Sequence, residues 1–230
     1  NRSIQPSQPM KKFLLLSLLV WLCAPLWAQR QMVRLTRYEG FELTGVQAAS
    51  GFQVDVRYSD VPKAVIEIPA DMEPYVDFTL SEEGTVRVSF NSLRGMSRRQ
   101  GPLRAYIYLN RLDYLSAGSG ATVNCEGEFP GGSVLLKVSA GASVRGLRLT
   151  GADNVQASAG SGASLEATVR SDNLICTASS GSRIRIDHTG RSADLKASSG
   201  ATITLSGDGY RLSKRSSSGG SIRTGEYRTQ

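Results

Sequence analysis

Histidine occurs once in this chain, at position 188, and cysteine three times, at 23, 125 and 176. A metal centre of imidazole and thiolate ligands needs several such residues at short spacing, and no segment offers them. The lone histidine also leaves little from which to build a Ser-His-Asp site. Asp187 is its chain neighbour, and adjacent residues of a strand point to opposite faces. We therefore read His188 as an exposed loop residue and expect no catalytic residue, no metal and no cofactor. The glycines lie between strand-like segments with no helix after them, which excludes a phosphate-binding glycine loop. The C-terminal half also lacks any 3.6-residue apolar period, so it holds no amphipathic helix.

Long apolar runs are scarce as well. The main one, Phe13 to Leu22, follows Met10-Lys11-Lys12 and leads through Pro25-Leu26-Trp27-Ala28 to polar Gln29. About ten apolar residues fall short of the roughly 20 that a membrane-spanning helix needs. A basic start, a short apolar core and a small residue before a polar one describe a signal peptide, cleaved between Ala28 and Gln29. Cys23 does not suit lipid attachment, because bulky Trp21 and Leu22 precede it. Residues 1–9 read as an upstream overrun. Loss of Arg2, Lys11 and Lys12 with the leader takes the formal charge from +7 to +4. That mild excess suits anionic glycans or membranes and is not the dense basic stripe of a nucleic-acid binder. No second apolar span follows, so the mature chain is read without a transmembrane segment.

What the chain has in abundance is a short pattern: Ser or Ala, Gly, a small residue, any residue, then Val, Leu or Ile. It begins at Ser119-Gly120-Ala121-Thr122-Val123 and recurs with its glycine at Gly141, Gly162, Gly181, Gly200 and Gly219. The spacings are 21, 21, 19, 19 and 19 residues. Three positions beyond each glycine stand Val123, Val144, Leu165, Ile184, Ile203 and Ile222. Ahead of it, apolar and polar residues alternate, as in Leu174-x-Cys176-x-Ala178. A period of two means a strand with one buried face. Each repeat is thus a strand, a tight glycine turn and a second strand. A unit this short cannot bury its apolar side alone, so the coils stack, about 4.8 Å apart, into a parallel β-helix or β-solenoid. The register puts Cys125 and Cys176 about three rungs, or roughly 14 Å, apart. A disulfide requires Cα atoms within about 7 Å, so two free, buried thiols are expected.

The N-terminal half is less regular. Ser50-Gly51 is a degenerate copy of the turn, and further alternation runs through Val65 to Ile68, Val86 to Phe90 and Ala105 to Leu109. Leu93 to Pro102, with Arg94, Arg98 and Arg99, reads as an exposed loop. No linker divides the chain, so residues 29–230 are expected to form a single solenoid domain, with irregular coils over 38–110 and regular coils over 111–225. The last coil sets Leu212, Lys214 and Ser216 where earlier coils set apolar residues. A polar end of this kind prevents edge-to-edge growth or meets a partner chain.

Outward-facing positions of the repeats are mostly Ser, Thr and Asn, with Arg145, Arg183, Arg185 and Arg223 among them. We take these four arginines as a candidate binding face, with Glu166 between Arg145 and Arg185 expected to form cross-rung ion pairs. The turn glycines are structural. Clustered carboxylates of the kind glycan-cleaving β-helices use are not evident. Few aromatics, namely Phe129, Tyr210 and Tyr227, stand in the repeat half to stack a sugar.

The strand Phe41-x-Leu43-x-Gly45-Val46, then Val54-x-Val56, Ala105 to Leu109 and Leu112-x-x-Leu115-x-Ala117-Gly118-Ser119-Gly120 with its successor turns, resembles the auto-transporter-adhesin head GIN domain family of secreted Bacteroidetes proteins. The likeness covers about Tyr38 to Gly225. Asn110 and Arg111 stand where a proline would be expected. The resemblance implies a β-helical fold and a Gram-negative source, and it carries over no catalytic residue. The expectation is a non-catalytic envelope or surface binding module, found in the periplasm, on the outer membrane or outside the cell. Its partner would be a glycan, a lipid head group or a protein. The alternatives are a glycan-active β-helix enzyme and a periplasmic subunit that assembles end to end as a homo-oligomer.

Overall fold

A computed structural model of the chain describes residues 31–91 and 101–229. The proposed leader, Cys23, the cleavage site and most of the Leu93–Pro102 loop lie outside the described residues. From Met32 onward the chain forms one compact unit. It is a parallel β-solenoid with coils about 20 residues apart, as the repeat requires.

The strands follow the chain as β1 (Met32–Arg37), β2 (Gly45–Ala48), β3 (Gln53–Tyr58), β4 (Lys63–Pro69), β5 (Val76–Leu80), β6 (Thr85–Phe90), β7 (Arg104–Leu109), β8 (Tyr114–Ala117) and β9 (Thr122–Glu126). Then come β10 (Phe129–Pro130), β11 (Ser133–Val138), β12 (Ser143–Ala159), β13 (Ser164–Ala178), β14 (Arg183–Ala197), β15 (Thr202–Gly209), β16 (Arg211–Ser216) and β17 (Ser221–Thr229). Each coil has a front wall before its Ser-Gly turn and a back wall after it. In β12, β13 and β14 one strand bends through the far corner and serves both walls. Inward residues stack by type. On the front wall Val46, Leu115, Leu136, Ala157, Cys176 and Leu195 are in register. On the back wall Val54, Val123, Val144, Leu165, Ile184 and Ile203 are in register. All of these lie in a single buried core cluster. A buried Leu or Ile there contributes about 1.5–3 kcal/mol.

The turns are tighter than glycine alone suggests. Both central residues have positive φ, 47° at Ser119 and 71° at Gly120, and the same pairing recurs in every later turn and at Ser50-Gly51. The bond from Ala121 N–H to the Gly118 carbonyl, 3.0 Å, closes a type I′ turn. Ser or Ala in the left-handed region costs about 1–2 kcal/mol. The ladder offsets this, because the Gly120 amide donates to the Ala140 carbonyl of the next turn at 2.9 Å. Gly141, Gly162, Gly181 and Gly200 do likewise to Ser161, Ser180, Ser199 and Ser218. The small residue after each glycine faces the inner corner. Ser182, the polar one, donates to the Ala159 carbonyl at 2.9 Å and accepts from the Ser179 amide.

Unequal repeat lengths are absorbed locally. The 21-residue interval after Gly141 exceeds the next by two residues, and β12 slips against β13 twice, between Val144 and Leu147 and between Leu149 and Ala152. Gly146 and Gly151, both with positive φ, sit at these bulges.

At the N-terminal end chain order and stacking order part company. The pair β2–β3 lies between β6–β7 on one side and β8–β9 on the other. Beyond β6 and β7 the pairing turns antiparallel, with β5 covering β6, and β4 then β1 covering β7. A 3₁₀ helix, Ala70–Tyr75, joins β4 to β5 and buries Met72. Among the described residues the opposite end has no such cover. There Lys214 stacks on Leu195, and its ammonium donates to Thr224 Oγ1 at 3.1 Å.

Cys125 and Cys176 are free and buried, on opposite walls. Burial pushes the Cys125 thiol up to about 12, with the Asp55 charge adding to the effect, and burial raises Cys176 also. Neither should react with a disulfide reagent at neutral pH until the protein unfolds, when both titrate; a fast-reacting native thiol would contradict the register. Two glycine substitutions separate conformation from space. Gly181→Ala meets no atom within 4 Å but has φ of 69°, and should cost about 1–2 kcal/mol. At Gly190 a Cβ would collide with the Ser171 carbonyl, and Gly190→Ala should cost at least the ~3 kcal/mol of severe overpacking. Urea unfolding measures both.

Candidate functional site

The predicted arginines share one surface, the outer side of the back wall. Arg145, Arg183, Arg185 and Arg223 are all exposed. Thr204 lies in register between Arg185 and Arg223. The cross-rung ion pairing expected around Glu166 is not found: among the described residues no salt bridge joins Arg145, Glu166 and Arg185. The slip after Val144 takes Arg145 out of alignment with Glu166, whereas Arg185 is in register with Glu166 and both side chains are exposed to solvent. Two shallow grooves run along this face. One, of about 450 Å³, is lined by Arg185, Thr204, Ser206, Arg223 and Glu226. The other, of about 250 Å³, is lined by Arg148, Glu166, Thr168, Arg185 and Asp187. The turn glycines Gly120, Gly141, Gly162, Gly181, Gly200 and Gly219 stay at their corners, away from both.

A larger cleft, of about 610 Å³, lies at the irregular end on the outer side of the front wall. One side is the β5–β6 hairpin, with Thr79, Leu80, Ser81, Glu83, Thr85 and Arg87. The other is Asp113 and Tyr114, and Thr44 and Gln47 lie between. The walls are tied by main chain: Thr44 N–H donates to the Gly84 carbonyl at 2.9 Å, and Asp113 N–H to the Thr44 carbonyl at 2.8 Å. No sequence pattern announced this cleft, because its middle strand precedes both sides in the chain, with Gly45 paired to Thr85 and to Tyr114, and the three become neighbours only through the out-of-order stacking.

His188 is where the sequence reading fails. It lies in β14, fully buried, in register with Val169 and Gly207, so it is neither exposed nor in a loop. It belongs to a far-corner column of Phe129, Leu149, Val169, His188, Gly207 and Tyr227. Gly207 carries no side chain, so the His188 and Tyr227 rings stack across it, 6.1 Å apart and 8° from parallel. The bonding fits the neutral Nε2–H tautomer. Nε2–H donates to the Ser171 carbonyl at 3.2 Å, and Nδ1 accepts from the Tyr227 hydroxyl at 3.3 Å. Ser171 Oγ is 3.3 Å from Nε2, but Asp187 faces outward, as strand alternation requires. Phe129 and Tyr227 are buried too, which leaves Tyr210 as the exposed aromatic of the three named in the repeat half.

Fold and surface together define a parallel β-solenoid with a closed, packed interior and polar concavities on its outer walls. A family model described as "Putative auto-transporter adhesin, head GIN domain" matches residues 42–230, and the chain belongs to this family. No curated protein matches it. The fold is similar to a crystal structure of a "putative adhesin" from Bacteroides fragilis, at 12% identity and TM-score 0.65, covering 85% of this chain and 98% of that one. It also matches a "putative lipid binding protein" from Parabacteroides distasonis, at 13% identity and TM-score 0.48, covering 84% and 96%. Membership of an adhesin family points to a binding role at a surface. No helix among the described residues is long and apolar enough to cross a membrane.

Burial holds the His188 pKa below its ordinary 6.5, against the opposing pull of the Ser171 carbonyl and Asp187. A base with a depressed folded pKa stabilises the fold above its unfolded pKa. That contribution is lost as pH falls from there through the folded value. Thermal melts from pH 7.5 downward should therefore show an acid loss that begins near 6.5 and is reduced in His188→Gln.

Proposed function

We propose that the protein is a non-catalytic binding module of the cell envelope or cell surface. On this reading it is exported by a leader ending at Ala28, and residues 29–230 act as one solenoid domain. The arginine face carries the reading. Four exposed guanidinium groups stand on a backbone fixed by inter-coil hydrogen bonds, without ion-pair partners among the described residues. Arg185 and Arg223 flank Thr204 and Ser206 in one groove. Such an arrangement meets an anionic group with little backbone ordering cost, because the scaffold is already rigid and only the arginine rotamers have to be fixed. Sulfate, carboxylate or phosphate of a glycan or lipid head group is the chemistry that fits, and guanidinium takes it through paired N–H donors.

The glycan-active alternative has one observation in its favour, the convergence of Arg148, Glu166, Arg185 and Asp187 on the smaller groove. Both carboxylates are exposed to water. A general acid working at neutral pH normally has its proton held by burial or a like charge, and this face offers no burial.

The test is an array of sulfated and uronate oligosaccharides, run beside phosphatidylglycerol vesicles and a pull-down from native envelopes. Wild type should bind one of these with affinity that falls as salt rises. Arg145→Ser, Arg185→Ser and Arg223→Ser combined should weaken that binding at least tenfold without lowering the melting temperature. Wild type that ignores all three probes, or bond cleavage abolished by Glu166→Gln, would overturn the reading.

A further inference from the structure

The front-wall cleft has a composition unlike that of the arginine face. Tyr114 offers a half-buried ring at one side. Its hydroxyl makes no hydrogen bond among the described residues, and Lys137 approaches the ring at 5.9 Å from its centroid. Gln47, in the middle strand β2, points outward with its amide unpaired among the described residues. Two of the three charged groups that line the cleft are paired, and the third, exposed Glu83, has no ion pair among the described residues. Asp113 holds Arg111 at 2.7 Å, and Arg87 faces Asp77 at 3.9 Å, where Asp77 also accepts from Thr79.

The floor is built around Gly45. It lies in register between Thr85 and Tyr114, and a Cβ there would collide with Thr85 Oγ1. With no side chain at 45, the Thr85 hydroxyl leans over the strand and joins Gln47 at the base. A glycine inside a strand costs stability and often marks a place where another group approaches the backbone closely. A ring, a free amide and free hydroxyls suit a polyol that has one apolar face, and the unpaired Glu83 carboxylate, which accepts from hydroxyls and repels anions, favours an uncharged one. The volume of about 610 Å³ lies within the usual 300–1,000 Å³ of small-molecule sites.

We propose that this cleft binds an uncharged saccharide, stacked on Tyr114 and hydrogen-bonded by Gln47 and Thr85. The site is separate from the arginine face, so either can fail while the other stands. The purified protein is presented with an array of uncharged glucose, galactose, mannose and N-acetylglucosamine oligosaccharides, and the strongest is titrated by calorimetry. Binding should be insensitive to salt. Tyr114→Ala and Gln47→Ala should each weaken it about tenfold or more, while the arginine triple variant leaves it unchanged. Hydrogen exchange on the wild type should slow in β2, β6 and β8 when the sugar is present, a readout that needs no variant to fold. The proposal is overturned if no uncharged saccharide binds, if both variants bind as wild type does, or if the protected amides lie on the back wall.

Discussion

Every coil of this protein must meet its neighbour amide to carbonyl around its perimeter, corners included. Straight strands satisfy this readily, and a turn ordinarily breaks it. Here the turn is itself part of the ladder. Its glycine donates to the carbonyl of the equivalent Ser or Ala one coil on, and that carbonyl is correctly aimed only when both turn residues are left-handed. The strained Ser is the cost of an uninterrupted corner. It also fixes register, since a slip of one residue would turn Ile184 or Ile203 outward. Where the chain is too long for the register, as after Gly141, the surplus is expelled into bulges and the columns realign at once.

The interior tolerates polarity only where it is fully bonded. Ser182 replaces alanine at the inner corner and finds a donor in its own turn, the Ser179 amide, and an acceptor in the preceding coil, the Ala159 carbonyl. His188 replaces an aliphatic residue in the far-corner column and is sandwiched by Ser171 and Tyr227. Tyr227 is the one buried side chain of β17, so this histidine fastens a terminal coil whose other inward positions, Leu212, Lys214 and Ile222, are only partly covered or exposed. The two ends differ accordingly. One is closed by antiparallel strands and Met72, the other by charge and a hydrogen bond.

The regular coils were legible because their signals are local and repeated. Glycine anchors, two-residue alternation and branched residues at a constant offset define the walls, the structural role of the glycines and the separation of Cys125 from Cys176. Left-handed serines were not legible, since the residue type does not declare its φ. The far-corner column escaped because bulges shift its offset from the anchor glycine, from nine residues at Phe129 to seven at His188. Without that column His188 looked like a loop residue beside Asp187. The four arginines do share one outer wall, but register alone did not make ion pairs: the bulge displaces Arg145 from Glu166, while Arg185 is in register with Glu166 and still unpaired with it. The front-wall cleft was invisible, because Gln47, Thr85 and Tyr114 are brought together by topology and by no periodicity.

That topology also constrains how the molecule is made. Both neighbours of β2–β3 lie downstream of it in the chain, β6–β7 within 85–109 and β8–β9 within 114–126. As the polypeptide emerges from synthesis, its first rung has nothing to pair with on either side. It cannot be completed until residues up to Glu126 exist. The later coils each pair with the segment just before them and carry no such delay. Assembly therefore cannot proceed as a simple winding from the N-terminus. The regular coils are the natural nucleus, and the early segment must remain open long enough to be enclosed by chain that follows it.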